Sequence, residues 1–125
     1  MSTIFTKIIN GELPSYKIYE DEKTCAFLDI HPETKGHTLI VPKLECDKIY
    51  DLPEEYYTAV WATAKKLCAH YDSVLGKRSL IKVVGTDVPH AHIHIMPYDE
   101  GWHVGRFLKL SSEEMSAIRD KLALS

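Results

Sequence analysis

The run Pro89-His90-Ala91-His92-Ile93-His94-Ile95-Met96-Pro97 places an imidazole at every second position, with small or apolar residues between. Period-two alternation is the pattern of a half-buried β-strand, whose alternate side chains share a face. In that geometry His90, His92 and His94 stand in one row, roughly 6.6 Å apart from one Cα to the next. Such a row is a costly surface to build for stability alone, because each buried ring needs partners for its nitrogens. The spacing points to chemistry.

Upstream, Ser79-Leu80-Ile81-Lys82-Val83-Val84 reads as a strand, and Gly85-Thr86-Asp87 turns it into the histidine strand. Lys17-Ile18-Tyr19-Glu20 and Thr24-Cys25-Ala26-Phe27-Leu28-Asp29 are two further strands, joined by a turn at Asp21-Glu22. After the breaker-rich loop His31–Gly36, the β-branched His37-Thr38-Leu39-Ile40-Val41 is another strand, ended by Pro42. A long helix starts near Pro53, with Asp51 as a candidate cap and Glu54 and Glu55 suited to the helix dipole. Its apolar stripe is Tyr56, Val60, Ala64, Leu67 and Tyr71, and Gly76 closes it. Ser111 with Glu114 forms a candidate capping box for a short final helix. The expected class is α+β: a five-stranded antiparallel sheet with one long and one short helix, over a single domain spanning 1–125.

At 125 residues and 45% hydrophobic content the chain can bury a core without disulfide staples. A formal net charge of −3 argues against a nucleic-acid partner, which normally shows a basic footprint. The three cysteines, Cys25, Cys46 and Cys68, are odd in number and far apart, as expected of reduced thiols in the cytoplasm. Met1–Thr6 carries no signal-peptide run, and no stretch is long enough to span a membrane.

The histidine row admits three readings. It can be an ordinary strand rich in histidine. It can be a metal site completed by Asp87, Asp99 or Glu100. Or it can hold a nucleophilic imidazole, one nitrogen donating to a fixed acceptor while the other aims its lone pair at an electrophile. Phosphate esters and anhydrides suit the last arrangement, because neighbouring imidazoles can stabilise charge on several oxygens.

The run from His90 to Met96 resembles His-φ-His-φ-His-φ-φ (φ hydrophobic), the signature of the histidine-triad (HIT) superfamily of nucleotide hydrolases and transferases. The blocks Phe5–Ser15, Tyr19–Asp21, Ala26–Ile30 and Gly36–Lys43 are similar to that family's other blocks, in the same order. The resemblance implies that His92 is the nucleophile, attacking an α-phosphorus to form a nucleotidyl-histidine intermediate. It implies that His90 and His94 orient His92, bind phosphate oxygens and manage the leaving-group proton, with His37 as an additional histidine close by. Asp29 corresponds to an acceptor for the ribose hydroxyls. Ile4, Phe5, Ile8, Leu13, Phe27, Leu28, Ile30 and Leu39 would form the slot for a purine base; without the family frame they read equally well as plain core. The implied substrates are nucleoside phosphoramidates, aminoacyl adenylates or dinucleoside polyphosphates, cleaved without a cofactor. The implied assembly is a homodimer with a continuous sheet. A nucleotide-binding module with little turnover, and a metal-dependent enzyme using the histidine row as ligands, are the rival expectations.

The chain departs from the family pattern in two places. Many relatives bind structural zinc through an opening Cys-x-x-Cys and a later histidine; this chain has Thr3, Thr6 and Glu45 at those positions. Hydroxyls are poor zinc ligands, so no zinc is expected. The glycine-rich loop before the triad is shortened, and Asp87 occupies the place of a hydroxyl residue at the scissile phosphate. Asp87 is then an acid for the leaving group if protonated, a repulsive neighbour of phosphate if ionised, or a turn cap. Trp102 falls in the segment with which relatives reach a partner subunit, and otherwise reads as a cover for the sheet edge. His31, His70 and His103 read as surface residues.

Overall fold

The computed structural model describes residues 3–124; Met1 and Ser2 of the opening run, and Ser125, lie outside it. The sheet has five strands: β1 (Lys17–Glu20), β2 (Thr24–Leu28), β3 (Thr38–Pro42), β4 (Ser79–Lys82) and β5 (Ile93–Pro97). Their order is β1-β2-β3-β5-β4, and every neighbouring pair is antiparallel. The three helices are α1 (Ile4–Ile9), α2 (Glu54–Leu75) and α3 (Ser112–Leu122). The expected antiparallel α+β architecture is present, with α1 as an additional short helix.

Strand alternation divides the apolar side chains between two layers. Ala26 and Leu28 of β2, Ile40 of β3, and Ile93 and Ile95 of β5 pack with Val60, Ala64, Leu67 and Tyr71 of α2 in the main core. Cys25, Phe27, Leu39 and Val41 point the other way and cluster with Phe5 of α1. Buried hydroxyl pairs fix α2 on the sheet, Thr24–Thr63 at 2.8 Å and Thr38–Tyr71 at 2.6 Å.

Helix ends follow local chemistry. Gly76 adopts the left-handed conformation (φ 65°) that closes α2, and the Ser111–Glu114 capping box opens α3. Asp51 does not cap α2. Its amide bonds the Lys48 carbonyl in a 3-10 turn, and Pro53 takes the cap position without a side-chain bond. α1 is only six residues long, but the Thr3 hydroxyl accepts from the Thr6 amide and nucleates it. Among the described residues no helix is long and apolar enough to cross a membrane.

Candidate active site

The α1-facing side of β2, β3 and β5 carries the histidines. His94 lies in β5 opposite Leu39 of β3. His90 and His92 precede the strand, whose ladder starts only at Ile93. Pro89 has no N–H to donate, the His90 amide bonds the Val88 carbonyl at 2.8 Å and the Ala91 amide bonds the Cys46 carbonyl at 2.7 Å, so none of the three donates to the ladder. The histidine strand is therefore shorter than its alternation suggests. Likewise Val83 and Val84, expected in β4, lie beyond it and are exposed.

All three triad rings and His37 are buried, and their hydrogen bonds assign each proton. A carbonyl oxygen only accepts. His92 Nδ1–H therefore donates to the His90 carbonyl at 2.8 Å, and in the neutral imidazole the lone pair is then on Nε2. His90 Nε2–H donates to the Pro42 carbonyl at 3.0 Å, while its Nδ1 accepts from the Thr3 hydroxyl at 2.8 Å. The Glu33 amide donates to His37 Nδ1 at 3.0 Å, so His37 carries its proton on Nε2 and donates it to His94 Nδ1 at 2.9 Å. His94 must then carry its own proton on Nε2. His92 Nε2 and His94 Nε2 are both buried without a hydrogen-bond partner. One is a lone pair and the other an N–H donor, on rings whose centroids are 4.9 Å apart.

Burial keeps the supporting imidazoles neutral. It lowers His37 from its ordinary 6.5 to about 3, aided by His94, and lowers His94 to about 4, aided by His92. Burial also depresses His90, against the opposing pull of the Pro42 carbonyl. At Asp87 burial raises the carboxyl, but attraction to His92 and backbone amide hydrogen bonds outweigh it, and the net shift is downward. Asp87 Oδ1 lies 3.3 Å from His92 Nε2 and also accepts from the Val88 amide at 3.0 Å. Asp87 is thus a turn cap and an ionised neighbour at once, which disfavours a resting carboxylic acid there. Burial raises Asp29 against the His31 amide, which donates to Oδ1 at 2.8 Å; Oδ2 lies 3.6 Å from His37 Nε2.

These groups border a cleft of about 660 Å³. Ile4, Phe5, Ile8, Leu13, Phe27, Leu28, Asp29, Ile30 and Leu39 all line it, together with His37, Asp87, His92 and His94. Ile4, Leu13 and Ile30 are exposed, at 50%, 36% and 65%, so plain core packing does not account for them. Phe5 stands edge-on to Phe27 and to His92, with centroids 5.6 and 5.0 Å away. His90 does not line the cleft. With both nitrogens engaged inside the protein, it has none left for a phosphate oxygen.

The positions associated with zinc come together as a hydrogen-bonded clasp. Glu45 Oε1 accepts from the Thr3 amide at 2.9 Å and the Thr6 hydroxyl at 2.6 Å, while Thr3 also holds His90. Two hydroxyls, one carboxylate and an already engaged imidazole nitrogen make a poor zinc donor set. The triad itself fits a cation no better. Asp87, His92 and His94 offer ligand atoms within 4.8 Å of one another, as do Asp29, His37 and His94. A lone pair on His94 Nε2 would require reversing the His37–His94 bond. That would leave a His37 Nδ1 proton against the Glu33 amide hydrogen.

Several cleft residues carried no periodic signal. Glu33 is buried in the breaker-rich loop, paired with Lys82 Nζ at 2.5 Å and accepting from the Trp102 indole at 3.1 Å. Burial raises its carboxyl, but the hydrogen bonds from Lys82 and Trp102 outweigh that and lower it. Trp102 is therefore tied to its own chain. Arg106 donates to the Glu33 carbonyl at 2.9 Å, and Phe107 reaches the cleft beside it. His70 is half-buried, not a surface residue, and donates to the Leu122 carbonyl at 3.1 Å, joining α2 to α3. His31 is exposed at the cleft, and His103 is exposed with its ring on the Val104 carbonyl.

The family model described as HIT domain matches residues 10–101. An uncharacterized HIT-like protein of Methanocaldococcus jannaschii is 41% identical over 105 residues, covering 78% of this chain and 80% of its own. The adenosine 5'-monophosphoramidase hnt1 of Schizosaccharomyces pombe is 32% identical over 98% of this chain and 97% of its own. A HIT-like protein from Bartonella henselae, described as involved in cell-cycle regulation, superposes with a TM-score of 0.86 at 28% identity. The superposition covers 97% of this chain and 93% of that one. With its fold and its triad in place, this chain belongs to the HIT family.

Proposed function

We propose that the chain is a nucleotide hydrolase or transferase acting at the α-phosphorus of a purine nucleotide conjugate, with His92 as the nucleophile. The carrying observation is the pairing of two free nitrogens: the His92 Nε2 lone pair and the His94 Nε2–H, both buried, unpartnered and bordering one cleft. The base fits the slot between Ile4, Phe5, Ile8, Leu13, Phe27, Leu28, Ile30 and Leu39. Asp29 accepts from the ribose hydroxyls.

His92 Nε2 forms a bond to phosphorus, and the bond to the leaving group breaks with its electron pair going to that group. The leaving group also takes up one proton, drawn from the solvent side of the cleft beside Asp87. His94 Nε2–H donates to a phosphoryl oxygen as charge builds there, held in register by His37. His90 positions His92 through its carbonyl. In the second step water attacks phosphorus, the P–N bond electrons return to His92, and the water's proton goes back to solvent. Another acceptor in place of water gives transfer.

The named relative in fission yeast supports phosphoramidates within the substrate range, beside aminoacyl adenylates and dinucleoside polyphosphates. The free cysteines suit a reducing, cytoplasmic setting. The exposed Ile81, Val83 and Val84 on and beside edge strand β4 suit a homodimer with a continuous sheet, which sedimentation velocity would detect. Hydrolysis of the three substrate classes by wild type and by His92→Ala tests the activity. Wild-type turnover of at least one class, lost in the variant, is expected; no turnover of any class, or full activity in the variant, overturns it.

A further inference from the structure

The cleft carries an imbalance of charge that the proposed chemistry does not use. Its lining contains the carboxyl groups of Asp29, Glu33 and Asp87, and among the described residues Lys82 is its one ammonium. That ammonium is already committed to Glu33 at 2.5 Å. His37 and His94 are held neutral by burial, so they offer hydrogen bonds but no fixed positive charge. Asp87 differs from the other two acids. Among the described residues no lysine or arginine pairs with it; it is 49% exposed, and one of its oxygens lies 3.3 Å from the nucleophilic nitrogen. Phosphorus bound at His92 Nε2 must lie beside that carboxylate, and an anionic leaving group departing from it meets like charge with no cation to answer it.

We propose that Asp87 is a charge filter for the leaving group. Within the substrate range proposed above, the site then favours nucleotide conjugates whose leaving amine bears a separate positive charge, and it discriminates against those whose leaving group is a polyphosphate. The inference rests on His92 being the nitrogen at phosphorus. With such a substrate, the bond from phosphorus to the leaving nitrogen breaks with the pair on nitrogen. That nitrogen takes one proton from solvent, and the water of the second step returns it. Asp87 holds the leaving group's positive charge through both events and is itself unchanged.

The test compares two adenosine 5'-phosphoramidates of equal length, one with an ammonium at the end of its amine arm and one with a carboxylate. A dinucleoside triphosphate is the third ligand. Turnover is measured for wild type, Asp87→Asn and Asp87→Ser, and equilibrium binding is measured in a His92→Ala background with and without Asp87→Asn. Thermal melts confirm that each variant is folded. Wild type should prefer the ammonium arm by roughly tenfold or more in kcat/KM, a preference moderated by the half-exposure of Asp87. Asp87→Asn and Asp87→Ser should bring the ratio close to one and raise the relative use of the triphosphate. Added salt should shrink the wild-type preference and leave the variants' ratio unchanged. An equal ratio in wild type and both variants overturns the filter. Absence of turnover with all three ligands overturns the hydrolase reading instead, and the binding ratio in the His92→Ala background then decides the filter alone.

Discussion

His37 and His94 are joined by one hydrogen bond, Nε2 to Nδ1 at 2.9 Å, whose direction is set by the main-chain amide of Glu33 on the far side of His37. Because that amide can only donate, every proton in the series points toward the cleft, and His94 reaches it as a donor. His37→Ala removes the constraint and lets His94 present either tautomer. We expect kcat to fall about 10- to 100-fold, the equivalent of a buried hydrogen bond of 1–3 kcal/mol, with KM little changed. His37→Gln, whose amide can still donate to Nδ1, should recover part of the loss. Steady-state kinetics on the two variants check this, and an unchanged kcat in His37→Ala contradicts it.

The same pair makes stability depend on acidity. In the unfolded chain both rings titrate near 6.5, whereas in the fold burial holds His37 near 3 and His94 near 4. Between those limits the unfolded state binds more protons, so stability must fall as pH drops from 6.5 toward 4. For two such buried rings the loss from pH 7 to 5 is on the order of 2–4 kcal/mol. Urea titrations at the two pH values would measure it. A His37→Asn/His94→Asn double variant should show a flatter dependence, and an equally steep one would assign the acid sensitivity elsewhere.

Asp29 lines the cleft, and its Oδ1 accepts from the His31 amide while Oδ2 is not taken by the backbone. Asp29→Ala should weaken binding of adenosine 5'-monophosphate by about 1–3 kcal/mol through lost ribose contacts. Calorimetric titration gives the value directly. A deoxyribose analogue should lose affinity for wild type but not for the variant, and equal loss in both would remove Asp29 from that role.

Gly36, in the loop leading to β3, holds φ at 97°, and a Cβ there would meet Pro97 Cγ at 3.0 Å and Leu122 Cδ1 at 3.1 Å. Gly36→Ala combines an unfavourable backbone with a side chain that has no room. A loss of about 1–3 kcal/mol is expected by chemical denaturation, while Gly85→Ala, whose Cβ meets nothing within 4 Å, should show only the backbone part.

Much of this architecture was readable from local pattern. The strand runs of β2 and β3, the stripe of α2 and the Ser111–Glu114 box are written in neighbouring residues, and each forms within a residue or so of its expected place. The nine positions to which the family resemblance assigns base and ribose contacts all line the cleft. What stayed hidden depends on partners far away in the chain. Glu33 gives no periodic signal, yet Lys82, Trp102 and Arg106 converge on it from 49 to 73 positions downstream. The Glu45 clasp spans 42 positions to Thr3, and no window of sequence contains both. The histidine alternation overstated its strand for a local reason: Pro89 and the Val88–His90 turn consume the backbone groups that the ladder needed.

The lone pair on His92 Nε2 carries the whole account, and trapping the reaction on it is the most direct test. Wild-type protein mixed with excess adenosine 5'-phosphoramidate, quenched in alkali within the first turnover, would be digested and its His92 peptide weighed by mass spectrometry. The prediction is an acid-labile adenylyl group on His92 that forms before product and decays at the rate of turnover. Product appearing at full rate with no modified His92 at any time would contradict it.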